Sequence, residues 1–217
     1  HKEKPVKASD LMLKCLEEQG VTHIYGVPGE ENADMMISLL DSSIEFITCR
    51  HEQNAAFMAD MHGRLTGRPG VCLATLGPGA TNLMTGIANA NMDHSPLIAI
   101  IGQADANRLH KVSHQNMDSV RMFEPVTKWA ITIRDAEVIP EVIAKAVKVS
   151  VSAQPGAVLI ELPEDVAKHE TDAIVIEKQL SEIHSGVCTK QLIKGMDLLE
   201  ASQKPIVLVG SNATYYE

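Results

Sequence analysis

The chain has 217 residues, 45% of them hydrophobic and 22% charged, enough for one sizeable core and part of another domain. Nineteen Lys and Arg against twenty-eight Asp and Glu leave a net charge of -9, and aromatics make up only 3%. That balance lacks the cation surplus that displaces counterions from nucleic acid, and the aromatics that stack bases. No apolar run approaches the roughly 20 residues of a membrane span. The opening His1-Lys2-Glu3-Lys4-Pro5 has no apolar stretch behind its charges, so no signal peptide is read there.

In chain order, Ala8 to Gln19 carries apolar residues at helical spacing, with Ser9 as N-cap and Gly20 at the left-handed C-terminal position. A strand over Val21 to Tyr25 ends in Gly26-Val27-Pro28-Gly29. A helix over Asp34 to Leu40, a strand over Ile44 to Cys49 and a helix over Glu52 to Leu65 follow. The small residues Ala55, Ala56 and Ala59 of that last helix allow close packing. Gly70 to Leu76 reads as strand, Ala80 to Met92 as helix, and Pro96 to Ile101 as a nearly all-aliphatic strand. Lys128 to Ile133 and Ala157 to Leu162 are two more strands flanking a helix over Ala136 to Val151. Apolar strands alternating with helices indicate a six-stranded, mainly parallel sheet with helices on both faces, a doubly wound α/β domain.

This domain spans 1–166. The charged, poorly periodic stretch Glu164 to Ser185 reads as linker, bounded at 167–188. Within 189–217 a helix over Thr189 to Ala201 and a strand over Lys204 to Gly210 open a further domain, so the chain reads as a fragment of a longer protein. Cys15, Cys49, Cys72 and Cys188 form no CxxC pair, and the first three read as small buried hydrophobes in a reducing cytoplasm. His110 and His114 have the spacing of two helical metal ligands. Their segment lacks the Glu of an HExxH site and is loop-like, so no protein metal site is expected.

In open α/β sheets, ligands bind beyond the carboxyl ends of the strands. Three loops there are chemically unusual: Gly26 to Asn32, Arg50-His51-Glu52, and Gly77-Pro78-Gly79-Ala80-Thr81-Asn82. Singly, each has an ordinary explanation. Gly77 to Asn82 could be a tight turn or a degenerate dinucleotide fingerprint, Glu52 a dipole-stabilised helix start, and Glu30, Glu31 and Asp34 first-turn acids.

Taken in order, the strings are specific. Tyr25 to Gly29, Arg50 to Gln53 and Ala74 to Asn82, then Pro96 to Gln103 and His114 to Asp118, resemble the pyrimidine-binding domain of thiamine diphosphate-dependent enzymes. Within that family the chain is most similar to the acetolactate synthase group. Met122 to Lys128 resembles the catabolic acetolactate synthases in particular, and Gln154 to Gly156 and Glu161 to Val166 fit as well.

The resemblance implies decarboxylation of pyruvate and ligation of the hydroxyethyl unit to a second 2-oxo acid. It implies Glu52 hydrogen-bonded to the cofactor's aminopyrimidine, the Gly26, Pro28 and Gly29 turn offering backbone groups to that ring, and Pro78 and Asn82 lining the cleft. Gln115 points an amide at the 2-oxo acid, and His114 lines the entrance. It implies Mg2+ and diphosphate ligands on a further C-terminal domain carrying Gly-Asp-Gly, a motif absent from this sequence. A homo-oligomer, at least a dimer, would complete the site, and this chain alone would be inactive. FAD dependence is left open, since its residues lie mostly in the central domain. Glu30 departs from the pattern: acetolactate synthases usually carry a small residue there, whereas decarboxylases that release aldehydes carry an acid. A decarboxylase is therefore the alternative, and a dinucleotide-binding module with Glu52 as a mere cap is the rival from another class.

Overall fold

The computed structural model describes residues 5–111, 114–152, 154–178 and 186–210. The chain divides into two compact units, 1–178 and 179–217. In the first, β1 (Val6–Lys7) runs into α1 (Ala8–Glu18), followed by β2 (His23–Gly26), a 3-10 turn at Glu30–Asn32 and α2 (Ala33–Ser38). Then come β3 (Glu45–Thr48), α3 (Glu52–Thr66), β4 (Gly70–Ala74), α4 (Pro78–Met92), β5 (Leu97–Gln103) and α5 (Ser119–Phe123). The unit closes with β6 (Trp129–Thr132), α6 (Ile139–Val151), β7 (Ala157–Pro163), α7 (Glu164–Lys168) and β8 (Glu170–Thr171).

Six strands form one parallel sheet in the order β3-β2-β4-β5-β7-β6. The register places Gly26 opposite Leu73, Gly70 opposite Leu97, and Thr132 opposite Glu161. Alternation along the central strands feeds two cores. Val71, Leu73, Ile98, Ile100, Val158 and Ile160 meet α1, α2 and α6 on one face, whereas Cys72, Ala74, Ala99, Ile101 and Leu159 meet α3 and α4 on the other. The doubly wound sheet expected from the sequence is the fold observed.

The second face is built for close approach. Ala55, Ala56 and Ala59 of α3 are fully buried, and a Cβ added at Gly86 of α4 would come within 2.5 Å of the Ala56 methyl. One turn further along, Asp60, 3% exposed, accepts from Asn89 Nδ2 at 2.8 Å and from Arg64 through Nε and Nη2 at 2.8 and 3.0 Å. Burial raises the Asp60 carboxyl, but the hydrogen bonds led by Arg64 outweigh it and hold it below the ordinary 3.8.

Four local readings change. Ser9 is no N-cap: α1 starts directly from β1 after Lys7, and the buried Ser9 hydroxyl accepts from Ser38 of α2 at 2.8 Å. Cys49 is only half-buried, with Sγ 3.6 Å from Met58 Sδ, whereas Cys15 and Cys72 are buried. The stretch after Pro163 does not leave the domain at once. It forms α7, and β8 pairs antiparallel with β1 because Thr171 and Glu170 meet Val6 and Lys7. In the second unit, α8 (Thr189–Ala201) has the expected bounds, but 204–210 is no strand. A strand needs a ladder partner, and among the described residues Ile206 to Val209 have none and remain exposed. Among the described residues, no helix is long and apolar enough to cross a membrane.

Because the folded Asp60 carboxyl lies below its unfolded value, its contribution is present above about pH 4 and lost as pH falls through the folded value. Asp60→Asn should lower the unfolding free energy by about 2 kcal/mol near neutral pH. The gap to the parent should shrink as pH drops below about 4. Urea denaturation at neutral and acidic pH checks this; a gap that stays constant across that range would contradict it.

Candidate active site

Parallel strands place their following loops on one edge. The loops after β2, β3 and β4, and the long connection after β5, therefore share the carboxyl edge of the sheet. His51 is the N-cap of α3, its Nδ1 accepting from Gln53 N at 3.1 Å. Glu52 is the first helical residue, and its half-buried side chain turns away from its own backbone. Glu52 Oε2 accepts from Asn82 Nδ2 at 2.9 Å. Glu52 is thus not a cap, which removes that part of the dinucleotide reading. Oε1 takes no hydrogen bond from the described residues and lies 3.6 Å from where a Gly79 Cβ would stand.

Asn82 reaches Glu52 because α4 begins two residues earlier than its periodicity indicated. Pro78 occupies the first turn, where its fixed φ suits a helix start and its missing N–H costs nothing. Gly77–Asn82 is therefore a helix entry, preceded by a residue that only glycine tolerates. Gly77 has φ +57° and ψ -117°, and its missing Cβ would lie 2.6 Å from Gln115 O.

The turn after β2 is more committed internally than its glycines indicate. Gly26 lies inside the sheet with its carbonyl accepting from Cys49 N at 2.8 Å. Gly29 N donates to Asn32 Oδ1 at 2.8 Å, and Asn32 Nδ2 reaches Val27 O at 3.4 Å. Those backbone groups are occupied, leaving exposed Pro28 and half-buried Gly29 at the cleft. Gly29 packs on Thr75, whose Cβ would be 2.5 Å from an added methyl.

Glu30 is exposed on the 3-10 turn, while its neighbour Glu31 is 6% exposed and wired into the edge. Glu31 Oε2 accepts from Thr75 Oγ1 at 2.7 Å, and Oε1 lies 3.2 Å from His114 Nε2. Side-chain ligand atoms of Glu30, Glu31 and His114 all fall within 4.8 Å of one another, and His110 is not among them. His114 and Gln115 are exposed, with φ +36° and +60°. Sequence reasoning singled out Glu30 and left Glu31 as a first-turn acid. It also missed Asn32 and Thr75. No sequence signal separates two adjacent glutamates; the 3-10 turn decides which one faces inward.

The structure thus brings Glu52 against Asn82 and Gly79, and Gly29 and Gly79 against Thr75, with Glu30, His114 and Gln115 at the same edge of the sheet. Over residues 6–122 the chain matches the family described as thiamine pyrophosphate enzyme, N-terminal TPP binding domain. The chain belongs to this family. It is 38% identical over 205 residues to the acetolactate synthase of Bacillus subtilis, covering 94% of this chain and 36% of that protein. The catabolic acetolactate synthase of Raoultella terrigena is 36% identical over 217 residues, covering 100% of this chain and 39% of the relative. The probable acetolactate synthase large subunit of Methanocaldococcus jannaschii is 37% identical over 211 residues. The chain therefore spans less than two fifths of the length of these relatives.

Gly77→Ala should lose about 2 kcal/mol of stability, because a Cβ is strained at that φ and collides with Gln115. Trypsin cleavage after Arg108 and Lys111 should quicken as the 114–117 segment loosens. Unchanged cleavage with an unchanged melting temperature would refute the contact.

Proposed function

We propose that this chain forms the pyrimidine-facing half of the active site of a thiamine diphosphate-dependent, acetolactate synthase-like enzyme. The reaction is decarboxylation of pyruvate and transfer of the remaining two-carbon unit to a second 2-oxo acid. The observation that carries this is the Glu52 carboxylate, oriented by Asn82 through Oε2 while Oε1 faces the cleft without a partner among the described residues. An acceptor or proton donor so fixed at a glycine-walled helix start fits the ring nitrogen of an aminopyrimidine, and Gly29 and Gly79 keep the walls free of side chains.

When bound between Glu52, Asn82, Gly29 and Gly79, thiamine diphosphate would supply a nucleophilic thiazolium carbon and an electron sink for decarboxylation of the 2-oxo acid. Glu52 would hold a proton for the ring nitrogen, Asn82 fixes the carboxyl through Oε2, and Gln115 would offer an amide to the substrate carboxylate. His114, held by Glu31, borders the entrance. Mg2+ and the diphosphate are assigned to another domain, because the sequence lacks Gly-Asp-Gly. Phe57, Met58, Met61 and Leu65, all exposed on α3, support a face covered by another copy in a homo-oligomer. Cys15, Cys49, Cys72 and Cys188 are free thiols, which supports a reducing cytoplasm.

In the intact enzyme, Glu52→Gln should retain cofactor binding and lose about two to four orders of magnitude in thiazolium C2 hydrogen exchange. Unaltered exchange would remove Glu52 from the chemistry.

A second reading has its own observation. Exposed Glu30 stands with Glu31 and His114 at the carboxyl edge of the sheet, their side-chain ligand atoms within 4.8 Å of one another, which would put a further acid near the two-carbon unit. In that reading the unit is protonated there and leaves as acetaldehyde. Glu30→Ala should then raise the ratio of acetolactate to acetaldehyde made from pyruvate. A fixed ratio would leave Glu30 as a solvent-facing first-turn acid.

A further inference from the structure

Beyond the cleft, the same edge of the sheet holds a buried acid that the proposed chemistry does not use. Glu161, at the carboxyl end of β7, is 4% exposed. Its Oε1 accepts from Thr132 Oγ1 of β6 at 2.8 Å and its Oε2 from Gln103 Nε2 of β5 at 2.9 Å. Gln103 is 2% exposed and its carboxamide is fully engaged: Oε1 accepts from Ala104 N at 2.9 Å, and Nε2 donates a second bond to Met117 O at 3.1 Å.

The acid is one of three groups that fix that amide: Ala104 N holds Oε1, while Glu161 Oε2 and Met117 O both accept from Nε2. One N–H of Nε2 goes to Glu161 Oε2 and the other to Met117 O, so a single amide ties the acid to the 114–118 segment. A reversed amide would set its oxygen against both Glu161 and the Met117 carbonyl. Met117 O also accepts from Ser119 N at 3.0 Å, so the bond from Gln103 helps pin the segment where it turns into α5. Two residues earlier, Gln115 sits at φ +60° with its backbone on Gly77. A residue in that conformation keeps its place only if its surroundings hold it.

We propose that Glu161, acting through the Gln103 carboxamide, is a positioning residue that sets where Gln115 stands over the cleft. The proposal rests on the reading of Gln115 as the residue that faces the 2-oxo acid. It also accounts for a buried acid where an apolar side chain would cost less, since burying a carboxylate is a poor way to add stability.

The test uses the intact enzyme and four variants: Glu161→Leu, Glu161→Gln, Gln115→Ala and the Glu161→Leu/Gln115→Ala double. Glu161→Leu should lower kcat/KM for pyruvate about tenfold while the half-saturation for thiamine diphosphate moves less than about twofold. Glu161→Gln should recover to within about threefold, because its Oε1 can accept from Gln103 while Thr132 turns its hydroxyl to accept. The double variant should be no worse than Gln115→Ala, the signature of two residues acting as one unit. Independently of turnover, amide hydrogen exchange over 114–118 should quicken in Glu161→Leu and not in Glu161→Gln. If Glu161→Leu fails to fold, Gln103→Leu should show the same split. Additive losses, or faster unfolding with unchanged exchange at 114–118, would overturn the positioning role alone. A Gln115→Ala enzyme with unchanged kcat/KM would overturn the reading of Gln115 itself, and with it the proposal.

Discussion

The close contact between α3 and α4 sets the geometry on which the candidate site depends. Ala56 against Gly86 lets the two helices approach until side chains one turn away on either side can bond directly. Four residues before this contact stand Glu52 and Asn82; beyond it stand Asp60 and Asn89, joined at 2.8 Å. The helical repeat carries the spacing set in the middle to both ends. An ordinary side chain at residue 86 would separate the helices, and the amide of Asn82 would no longer span to the carboxylate. A packing residue one turn from Asn82 therefore governs the orientation of the proposed proton-handling group.

The sheet contributes a second constraint. Parallel strands deliver their carboxyl ends to one edge, where backbone groups leave the ladder and polar side chains find partners on neighbouring strands. Glu31, Gln103, Thr132 and Glu161 all stand there, and each is bonded to a segment other than its own. Burial raises the Glu161 carboxyl, and bonds from Thr132, Gln103 and Ser119 act against it. The edge is thus rigid by polar contacts where the interior is rigid by apolar ones, so exposed His114 and Gln115 rest on a firm base despite their left-handed backbone.

The two faces of the sheet differ because their tasks differ. Large aliphatic residues fill the α1, α2 and α6 side, which has only to be covered. Alanines and glycines dominate the α3 and α4 side, which must bring helix starts close to the strands. The helix that carries Glu52 also presents exposed apolar side chains, Met58 and Met61 among them.

The fold class was legible in the residues alone, since apolar runs separated by helical spacing admit few arrangements other than a doubly wound sheet. Glu52 and the Gly77–Asn82 string also stood out at strand ends, where glycines, a proline and an acid break the surrounding pattern. The 114–118 segment was visible only through its resemblance to thiamine diphosphate-dependent enzymes. Four matters required the tertiary structure. A one-residue difference in side-chain direction decides between Glu30 and Glu31, and only the turn at Glu30–Asn32 supplies it. Ser9 looked like a cap because local sequence cannot show that β1 feeds directly into α1, and β8 looked like linker because its partner lies at the other end of the domain. The bonds from Asn82 to Glu52 and from Gln103 to Glu161 join residues 30 and 58 positions apart. Composition and periodicity are local quantities, and contacts over such separations exist only once the sheet has brought its strand ends together.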